Sequence, residues 1–499
     1  MHTDLHWKPD RASPAPIVRQ VVDHFKDRIA RGEWTVGLKI PSQRALASAL
    51  GVNRSTVVAA LDELTSLGLL EGNRGGGTRV VNTTWSLLTA SAPPDWNEYV
   101  GSGLYESNLR IVQRINQPSP GLIRLGSGEL APELLPQAKT RRLFERLAER
   151  PVPLGYEEPL GNRRLRERLS EWLKPRGIAA SPSSILIVSG AIQALQLVSL
   201  SLLRKGDLVL TETPSYLYSL RLFQSAGMRL RGLPIESGGL RAETVAASQR
   251  KQKAALLYTN PTFHNPTGAT LDAGGREALL RACERERLPV VEDDVYRELW
   301  LDAPPPPPIK SIDRQGTVLY LGSLSKTLSP GLRIGWVVGP EAVVARLADV
   351  KMQTDYGASS LSQWAAAEWI ESGLYEEQLT FVRSQLRQRR EEMLASLREH
   401  LSGLASWSVP NGGFYIWLRL AADVAIDAGR LFDEALRRGV LLHPGFLYDR
   451  DDSRSLRLSY AYASSEELER GVRILGEIVR AKETYYGRAA AETDKHKKI

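Results

Sequence analysis

Lys326 stands in a run of small and hydroxylic residues, Ser323-Leu324-Ser325-Lys326-Thr327-Leu328-Ser329-Pro330-Gly331-Leu332-Arg333. A lysine in a loop is ordinarily a solvated surface charge. Here its neighbours suit another task. Serine hydroxyls and an arginine fork recognise phosphate, and a lysine amine is matched to a carbonyl. Groups that would complete such a site recur upstream, in order. Ser189-Gly190-Ala191-Ile192-Gln193 is a small-residue turn opening an apolar periodic segment, where free backbone N–H groups and the helix dipole hold phosphate. Tyr216, closing Thr213-Pro214-Ser215-Tyr216, can cover the face of a ring, and Asn265, in the turn-rich stretch 260–268, can donate to an oxygen on that ring. In Glu292-Asp293-Asp294-Val295-Tyr296, Asp293 can pair with a ring nitrogen and Tyr296 can hydrogen-bond the ring oxygen.

An aldehyde that carries its own phosphate on a pyridine ring answers to all of these groups: pyridoxal phosphate (PLP). Proteins hold it as a lysine Schiff base, and a carboxylate that keeps its nitrogen protonated makes the ring an electron sink. Unpaired, a buried Asp293 would take up a proton; beside a pyridinium it stays ionised. The amine of Lys326, once freed, would shuttle protons if transamination occurs.

The elements that must position these groups can be read from the apolar runs before them. Residues 185–188, 254–258, 288–291, 318–321 and 334–338 read as buried strands, each next to one of the candidate groups. Residues 342–400 read as helices, and residues from 419 onward as a smaller C-terminal subdomain. Pro304 to Pro308 reads as a stiff surface connector.

The chain has 499 residues, which argues for more than one domain. No run is long enough for a membrane helix, and no signal-peptide core follows Met1. The single cysteine, Cys283, excludes a disulfide framework and fits a reducing cytoplasm, where it reads as a spectator thiol. No metal-ligating pattern is read. A net charge of +8 permits nucleic-acid binding without deciding it.

The first 82 residues point to DNA more specifically. After a polar, proline-punctuated stretch 1–15, apolar residues at helical spacing predict a helix over Ile17–Ala30. Ser42 is a good N-cap for a short helix, Gln43–Leu50. Gly51-Val52-Asn53 is a tight turn into a longer helix, 54–67, and a glycine-tipped ribbon follows over 69–81. This is the order of a winged helix-turn-helix, whose second helix lies in the major groove with its N-terminal residues toward the bases. Those residues are Asn53, Arg54, Ser55 and Thr56. Arg44 can reach a phosphate, and Arg74 and Gly76 can approach the backbone from the ribbon. Ala47, Leu50, Val52, Val57, Leu61 and Leu64 are the expected core. Small helical modules also mediate protein contacts, and eleven Lys and Arg against eight Asp and Glu up to residue 82 is a modest surplus for a DNA binder.

The words themselves carry two resemblances. Pro41-Ser42-Gln43-Arg44-Ala45-Leu46-Ala47, Val52-Asn53-Arg54-Ser55-Thr56-Val57 and Gly76-Gly77-Thr78-Arg79-Val80 resemble the GntR-type DNA-binding domain. Residues from about 115 to 480 resemble a fold-type I aminotransferase of the aminoadipate/kynurenine kind. The matching words are Tyr156…Gly161…Leu165-Arg166, Ser189-Gly190-Ala191, Asn265-Pro266-Thr267-Gly268, Asp293…Tyr296, Ser323…Ser325-Lys326…Arg333, Gly412-Gly413-Phe414 and Leu456-Arg457-Leu458. Together they resemble regulators of the MocR type, a GntR-like winged helix fused to an aminotransferase-like PLP domain. The resemblance implies an α/β fold-type I domain with a small C-terminal subdomain. It implies that Lys326 is the catalytic residue, that Gly190, Ala191, Ile192, Ser323 and Arg333 hold the cofactor phosphate, and that Tyr216, Asn265, Asp293 and Tyr296 hold the ring. Arg457, with Asn265, would bind the substrate, clamping its carboxylate bidentately. Tyr156 would reach the cofactor phosphate of a partner subunit in a head-to-tail homodimer. Leu125-Gly126-Ser127-Gly128-Glu129 would line the substrate side. Many fused regulators carry a His-Gln pair where this chain has His264-Asn265, so Asn265 follows the enzymes.

The expected layout is a flexible N-terminus (1–15), a winged helix-turn-helix (16–82), a Ser/Thr/Pro-rich linker (83–115), a PLP-binding domain (116–485) and a disordered charged tail (486–499). Two readings stay open: a cytoplasmic regulator that binds double-stranded DNA and senses an amino acid or amine, and a working aminotransferase with an accessory DNA-binding module.

Overall fold

In the computed structural model, residues 7–73, 77–81, 115, 121–149, 155–217, 221–236 and 238–496 are described. The chain divides into two compact units, Met1–Gly103 and Leu104–Ile499.

The first unit packs three helices against a ribbon. Helix α1 (Ile17–Ala30) turns Val21, Val22, Phe25 and Ile29 inward. These fall three and four residues apart, the spacing that puts side chains on one helical face. Helix α2 (Gln43–Leu50) begins where the Ser42 hydroxyl accepts the Ala45 N–H at 3.3 Å. It ends at Gly51, whose φ of 65° is a left-handed conformation natural to glycine. Helix α3 (Arg54–Ser66) follows, then strands β1 (Leu70–Asn73) and β2 (Gly77–Val80), paired antiparallel. The ribbon has a third edge that periodicity did not show. Ile40 N donates to Thr78 O at 3.0 Å and Val80 N to Leu38 O at 3.1 Å, so the extended link before α2 pairs with β2. Five of the six expected core residues are buried; Val52, in the turn, is half-buried. Trp34, from the loop after α1, is fully enclosed with them.

The second unit is an α/β layer structure. Strand β3 (Ile123–Arg124) precedes a seven-stranded sheet. Its strands are β4 (Ile185–Val188), β5 (Leu208–Thr213), β6 (Arg229–Pro234), β7 (Leu256–Thr259), β8 (Val290–Asp293), β9 (Val318–Ser323) and β10 (Gly335–Val338), in the order β4-β10-β9-β8-β7-β5-β6. Neighbours are parallel except at β10, which is antiparallel to both β4 and β9. Every residue of β4, β7, β8, β9 and β10 is buried, which explains why they read as continuous apolar runs and not as alternations. Helix α4 (Ala191–Leu202) leaves β4, and α5 (Glu341–Asp355) and the long α6 (Leu374–Leu401) follow the sheet.

A four-stranded antiparallel sheet, β11-β12-β15-β14, forms the smaller subdomain from β11 (Ala405–Trp407), β12 (Tyr415–Leu420), β14 (His443–Pro444) and β15 (Ser455–Ser459). Strand β13 (Val440–Leu441) pairs in parallel with β3. The subdomain thus begins at Ala405, earlier than the expected 419, and recruits the chain near residue 123. A three-residue half-exposed strand and a two-residue one leave no periodic signature. The last helix, α7 (Ser465–His496), enters the tail expected to be disordered and is described as far as His496. The charge pattern there suggested solvation, but Ala, Glu, Lys and Arg are also strong helix formers.

Candidate functional site

The five segments that the sequence singled out converge at one edge of the large sheet. Strands β5, β7, β8 and β9 are parallel, and β4, antiparallel to β10, points the same way. Their carboxyl ends therefore deliver Gly190, Tyr216, Asn260, Asp293 and Ser323 to a common crevice, where open α/β sheets bind ligands. The crevice holds ≈ 730 Å³ of space, part of it open to solvent.

Asp293 is the last residue of β8 and is buried. The Tyr258 hydroxyl donates to its Oδ2 at 2.6 Å, while Oδ1 has no partner. Burial pushes its pKa up to about 6, against opposing hydrogen bonding from the Tyr258 hydroxyl and the Val295 backbone. Asn260 ties the neighbouring loops together: its Nδ2 donates to Asp293 O at 2.6 Å and its Oδ1 accepts Asn265 N–H at 2.8 Å. Behind it, buried Glu212 accepts the Asn260 N–H at 2.9 Å, and burial raises its carboxyl to about 7.

Lys326 projects into the same crevice, its Nζ donating to Gly128 O at 2.7 Å. The hydroxyls of Tyr296 and Tyr415 lie 3.0 Å apart, and Asn265 Nδ2 reaches Tyr296 Oη at 3.5 Å. Burial raises the Tyr216 phenol to about 12, so this lining residue stays neutral.

At the far end, Gly190 adopts φ 93°, ψ 164° at the start of α4. This region of backbone space is open essentially to glycine alone. A Cβ there would also sit 2.7 Å from Arg333 Nη2, which donates to Ser189 O at 2.7 Å. Ser323 Oγ donates to Ile334 O at 3.1 Å and lies 3.0 Å from Ser325 Oγ. An arginine fork, hydroxyls and the N-terminus of a twelve-residue helix thus meet at one end of the crevice.

Arg457, on β15, is buried and does not line the crevice. Its Nη1 donates to Asn265 Oδ1 at 2.8 Å, and its Nη2 donates to Gly126 O at 2.7 Å and faces His443 Nδ1 at 3.0 Å. The guanidinium lies over the Tyr415 ring, 4.1 Å from its centroid. The open fork expected for a bidentate clamp is therefore already engaged by protein acceptors. Tyr156 is 86 % exposed and lies outside the crevice. His264 is buried beside Thr267, 2.9 Å from its Oγ1, and burial lowers its imidazole to about 3. Cys283 is fully buried, which raises its thiol to about 12 and makes it a packing residue.

Tyr258, Glu212, Tyr415, His443 and Tyr448, whose hydroxyl lies 2.9 Å from His443 Nδ1, were not anticipated. Tyr258 hides in an apolar run, and the others sit in no motif; only the alternation of β12, which puts Tyr415 on a face with Trp417, hinted at one of them.

The residues fit PLP on two observations of this chain. One is an unpartnered buried carboxylate oxygen facing a crevice that also holds a lysine amine. The other is a backbone cradle at Gly190 that any side chain would fill.

In the first unit Arg44, Asn53, Arg54 and Ser55 are exposed and Thr56 is half-buried. They cluster at the N-termini of α2 and α3, with Arg54 Nη2 donating to Gln43 Oε1 at 3.2 Å. Arg74 and Gly76 lie outside the described residues. Among the described residues, no helix is long and apolar enough to cross a membrane.

Known proteins show the same two parts. The family described as aminotransferase class I and II matches residues 120–475, and that described as bacterial regulatory proteins, gntR family, matches residues 17–80. The uncharacterized HTH-type transcriptional regulator YisV of Bacillus subtilis (strain 168) is 52% identical over 95% of this chain and 98% of its own. The HTH-type transcriptional regulator NorG of Staphylococcus aureus (strain USA300) is 32% identical over 87% of this chain and 97% of its own. Among solved structures, the α-aminoadipate aminotransferase LysN of Thermus thermophilus, complexed with N-(5'-phosphopyridoxyl)-L-leucine, has a TM-score of 0.71 at 29% identity, covering 79% of this chain and 100% of its own. The kynurenine aminotransferase of Pyrococcus horikoshii has a TM-score of 0.70 at 29% identity, covering 79% of this chain and 96% of its own.

Proposed function

The chain belongs to the aminotransferase class I and II family and bears a gntR-family helix-turn-helix domain, and from that premise we propose that this PLP-dependent transcriptional regulator senses an amino acid or related amine in the cytoplasm. The observation that carries the reading is the unpartnered Oδ1 of Asp293, buried in a crevice shared with Lys326.

PLP, when bound, supplies an electrophilic carbon for amines and a ring that can accept their electrons. Lys326 would hold it covalently and, once freed, move a proton. Asp293 would keep a proton on the ring nitrogen. Asn265 and Tyr296 would orient the ring oxygen, and Tyr216 would cover a ring face. Ser323, Arg333 and the backbone at Gly190, Ala191 and Ile192 would hold the phosphate. Arg457 favours an effector with a carboxylate. Asn53, Arg54, Ser55 and Thr56 would face DNA bases, with Arg44, Arg74 and Gly76 on the backbone. Tyr156, exposed on its own subunit, is available to a partner's phosphate site in a head-to-tail homodimer. A PLP-loaded monomer by light scattering would count against that assembly. The units are assigned as 16–82 for DNA binding, 83–115 as linker and 116–485 for PLP binding.

A second reading, a working aminotransferase, is favoured by the completeness of the lysine, aspartate, asparagine and arginine set. Amino acids are added to the loaded protein with and without a keto acid, and cofactor absorbance is followed. A single conversion without turnover supports the sensor; sustained turnover supports the enzyme. A gel shift on the DNA upstream of its own gene tests the other unit, and absence of binding there would sink the regulator.

A further inference from the structure

Residues 7–16 do not trail away from α1 but fold back along it. The Trp7 ring stacks on His24, with 4.1 Å between centroids and 8° between planes. Gln20 clasps the turn that follows. Its Oε1 accepts the Asp10 N–H at 2.9 Å, and its Nε2 donates to Asp10 O at 3.0 Å and to Ala15 O at 2.7 Å. Asp10 Oδ1 in turn accepts the Ala12 N–H at 2.8 Å. The backbone on either side of Arg11 is thereby held, so its ordering is met before any ligand arrives.

Arg11 itself reaches across to the helix-turn-helix. Its Nη2 donates to Gly51 O at 3.3 Å. Gly51 caps α2 and stands two residues before Asn53, the N-cap of α3. The exposed guanidinium therefore lies beside the turn that leads into α3. The described arginines of this unit also divide by place. Arg19 pairs with Asp23 and Glu63, Arg28 with Glu33, and Arg31 with Asp27, all on or just after α1. Arg11, Arg54 and Arg79 instead meet the neutral oxygens of Gly51, Gln43 and Gly37. Among the described residues no carboxylate pairs with these three. Positive charge left without acids at the arm, the start of α3 and the ribbon suits a polyanion.

We propose that residues 7–16 form a preorganised DNA-binding arm, in which Arg11 contacts a backbone phosphate bordering the groove that α3 enters. This rests on the reading that Asn53, Arg54, Ser55 and Thr56 face the bases. Three-helix readers can place the chain ahead of their first helix against the DNA, flanking the groove that the last helix reads. A guanidinium presents several N–H groups in a fixed fork, so Arg11 can keep one on Gly51 O and offer others to a phosphate.

The test uses the full-length protein, a duplex from upstream of its own gene and a duplex of scrambled sequence. Affinity is measured between about 50 and 200 mM salt, where each phosphate contact adds about 0.9 to the slope of log affinity against log salt. Arg11→Ala should bind both duplexes more weakly, and over that range it should lose about 3.5-fold less affinity than wild type loses. Arg11→Lys keeps the charge and should restore the wild-type slope. An Arg11→Ala slope equal to wild type, whether or not affinity falls, refutes the contact and leaves Arg11 a brace of the turn. A loss confined to the upstream duplex also overturns it, because a phosphate carries no sequence. A wild type that does not bind the upstream duplex, or an Arg54→Ala that binds it as wild type does, would instead bring down the DNA-facing assignment of α3, and the arm with it.

Discussion

Asp293→Asn isolates the buried oxygen that the protein leaves unpartnered. In the cofactor-free protein, burial raises this carboxyl from 3.8 to about 6. At about 1.4 kcal/mol per tenfold change in proton affinity, that amounts to about 3 kcal/mol. The native state binds the proton more tightly than the unfolded chain, so stability falls as pH rises through the window from about 4 to about 6, and the whole cost is present above about pH 6. Asparagine has no charge to bury, and its Oδ1 can still accept from the Tyr258 hydroxyl. Cofactor-free Asp293→Asn should therefore be more stable than cofactor-free wild type by up to about 3 kcal/mol at pH 7, and no more stable at pH 4.

PLP should invert that order. A pyridinium beside Asp293 restores the ionised carboxylate, and the variant has nothing to offer it but a neutral amide. Urea unfolding of the large unit, with and without PLP between pH 4 and 8, gives the four curves needed. Glu212 and Glu292 are also raised to about 7 by burial, but they are common to both proteins and largely cancel in the difference. A difference curve that is flat between pH 4 and 6, or a variant that holds PLP as tightly as wild type, would refute the assignment of Asp293 to the ring nitrogen.

Three further outcomes follow from the same geometry. Lys326→Ala should abolish borohydride fixation of PLP while operator binding by the first unit survives, and Arg54→Ala should do the reverse; normal operator binding by Arg54→Ala would show that α3 is not the reading helix. Gly190→Ala should weaken PLP retention on dialysis, because a φ of 93° strains any L side chain and the methyl group would push aside Arg333 Nη2, 2.7 Å away; strain of this kind costs about 1–3 kcal/mol. Retention equal to wild type would place the phosphate elsewhere. Ser42→Ala removes the cap on α2, worth about 1 kcal/mol, and should lower the melting point of the DNA-binding unit by about 4–8 °C; calorimetry that finds that transition unmoved would rule the cap out as a stabiliser.

The strands of the large sheet were legible because both their faces are covered. Burial on both sides makes a run such as Ile185–Val188 apolar throughout, and the residue after such a run falls at the sheet edge. The helix-turn-helix was legible through its punctuation, Ser42 at one helix start and Gly51 at the next turn. What stayed hidden has no local signature. The state of Arg457 depends on Gly126 and Asn265, which lie far away in the chain, and on His443 of the neighbouring strand. The two-residue strands β3 and β13 exist only as each other's partners. Tyr258 reads as core because its ring is core; its hydroxyl alone serves the site.

The acidic run Glu292-Asp293-Asp294 shows how structure separates a buried acid that supports the fold from one held for a ligand. Strand geometry sends alternate side chains to opposite faces, so Glu292 points away from Asp293, and Asp294 lies just past the end of β8. Glu292 accepts the Ile309 and Lys310 N–H groups, each at 2.8 Å, and lies 3.5 Å from Arg276. Asp294 is paired with Arg297 through its Oδ2, while its Oδ1 has no hydrogen-bond partner and does not line the crevice. Each of these two acids has a permanent cation within 4 Å. Asp293 has the Tyr258 hydroxyl on one oxygen, nothing on the other, and an open crevice in front of it. Glu212 also keeps a bare oxygen, but it stands behind Asn260 and away from the crevice wall, where a proton can settle its charge. An unpaired carboxylate oxygen at a crevice wall is stable only if its partner arrives from outside, and the cation that fits there is a protonated ring nitrogen.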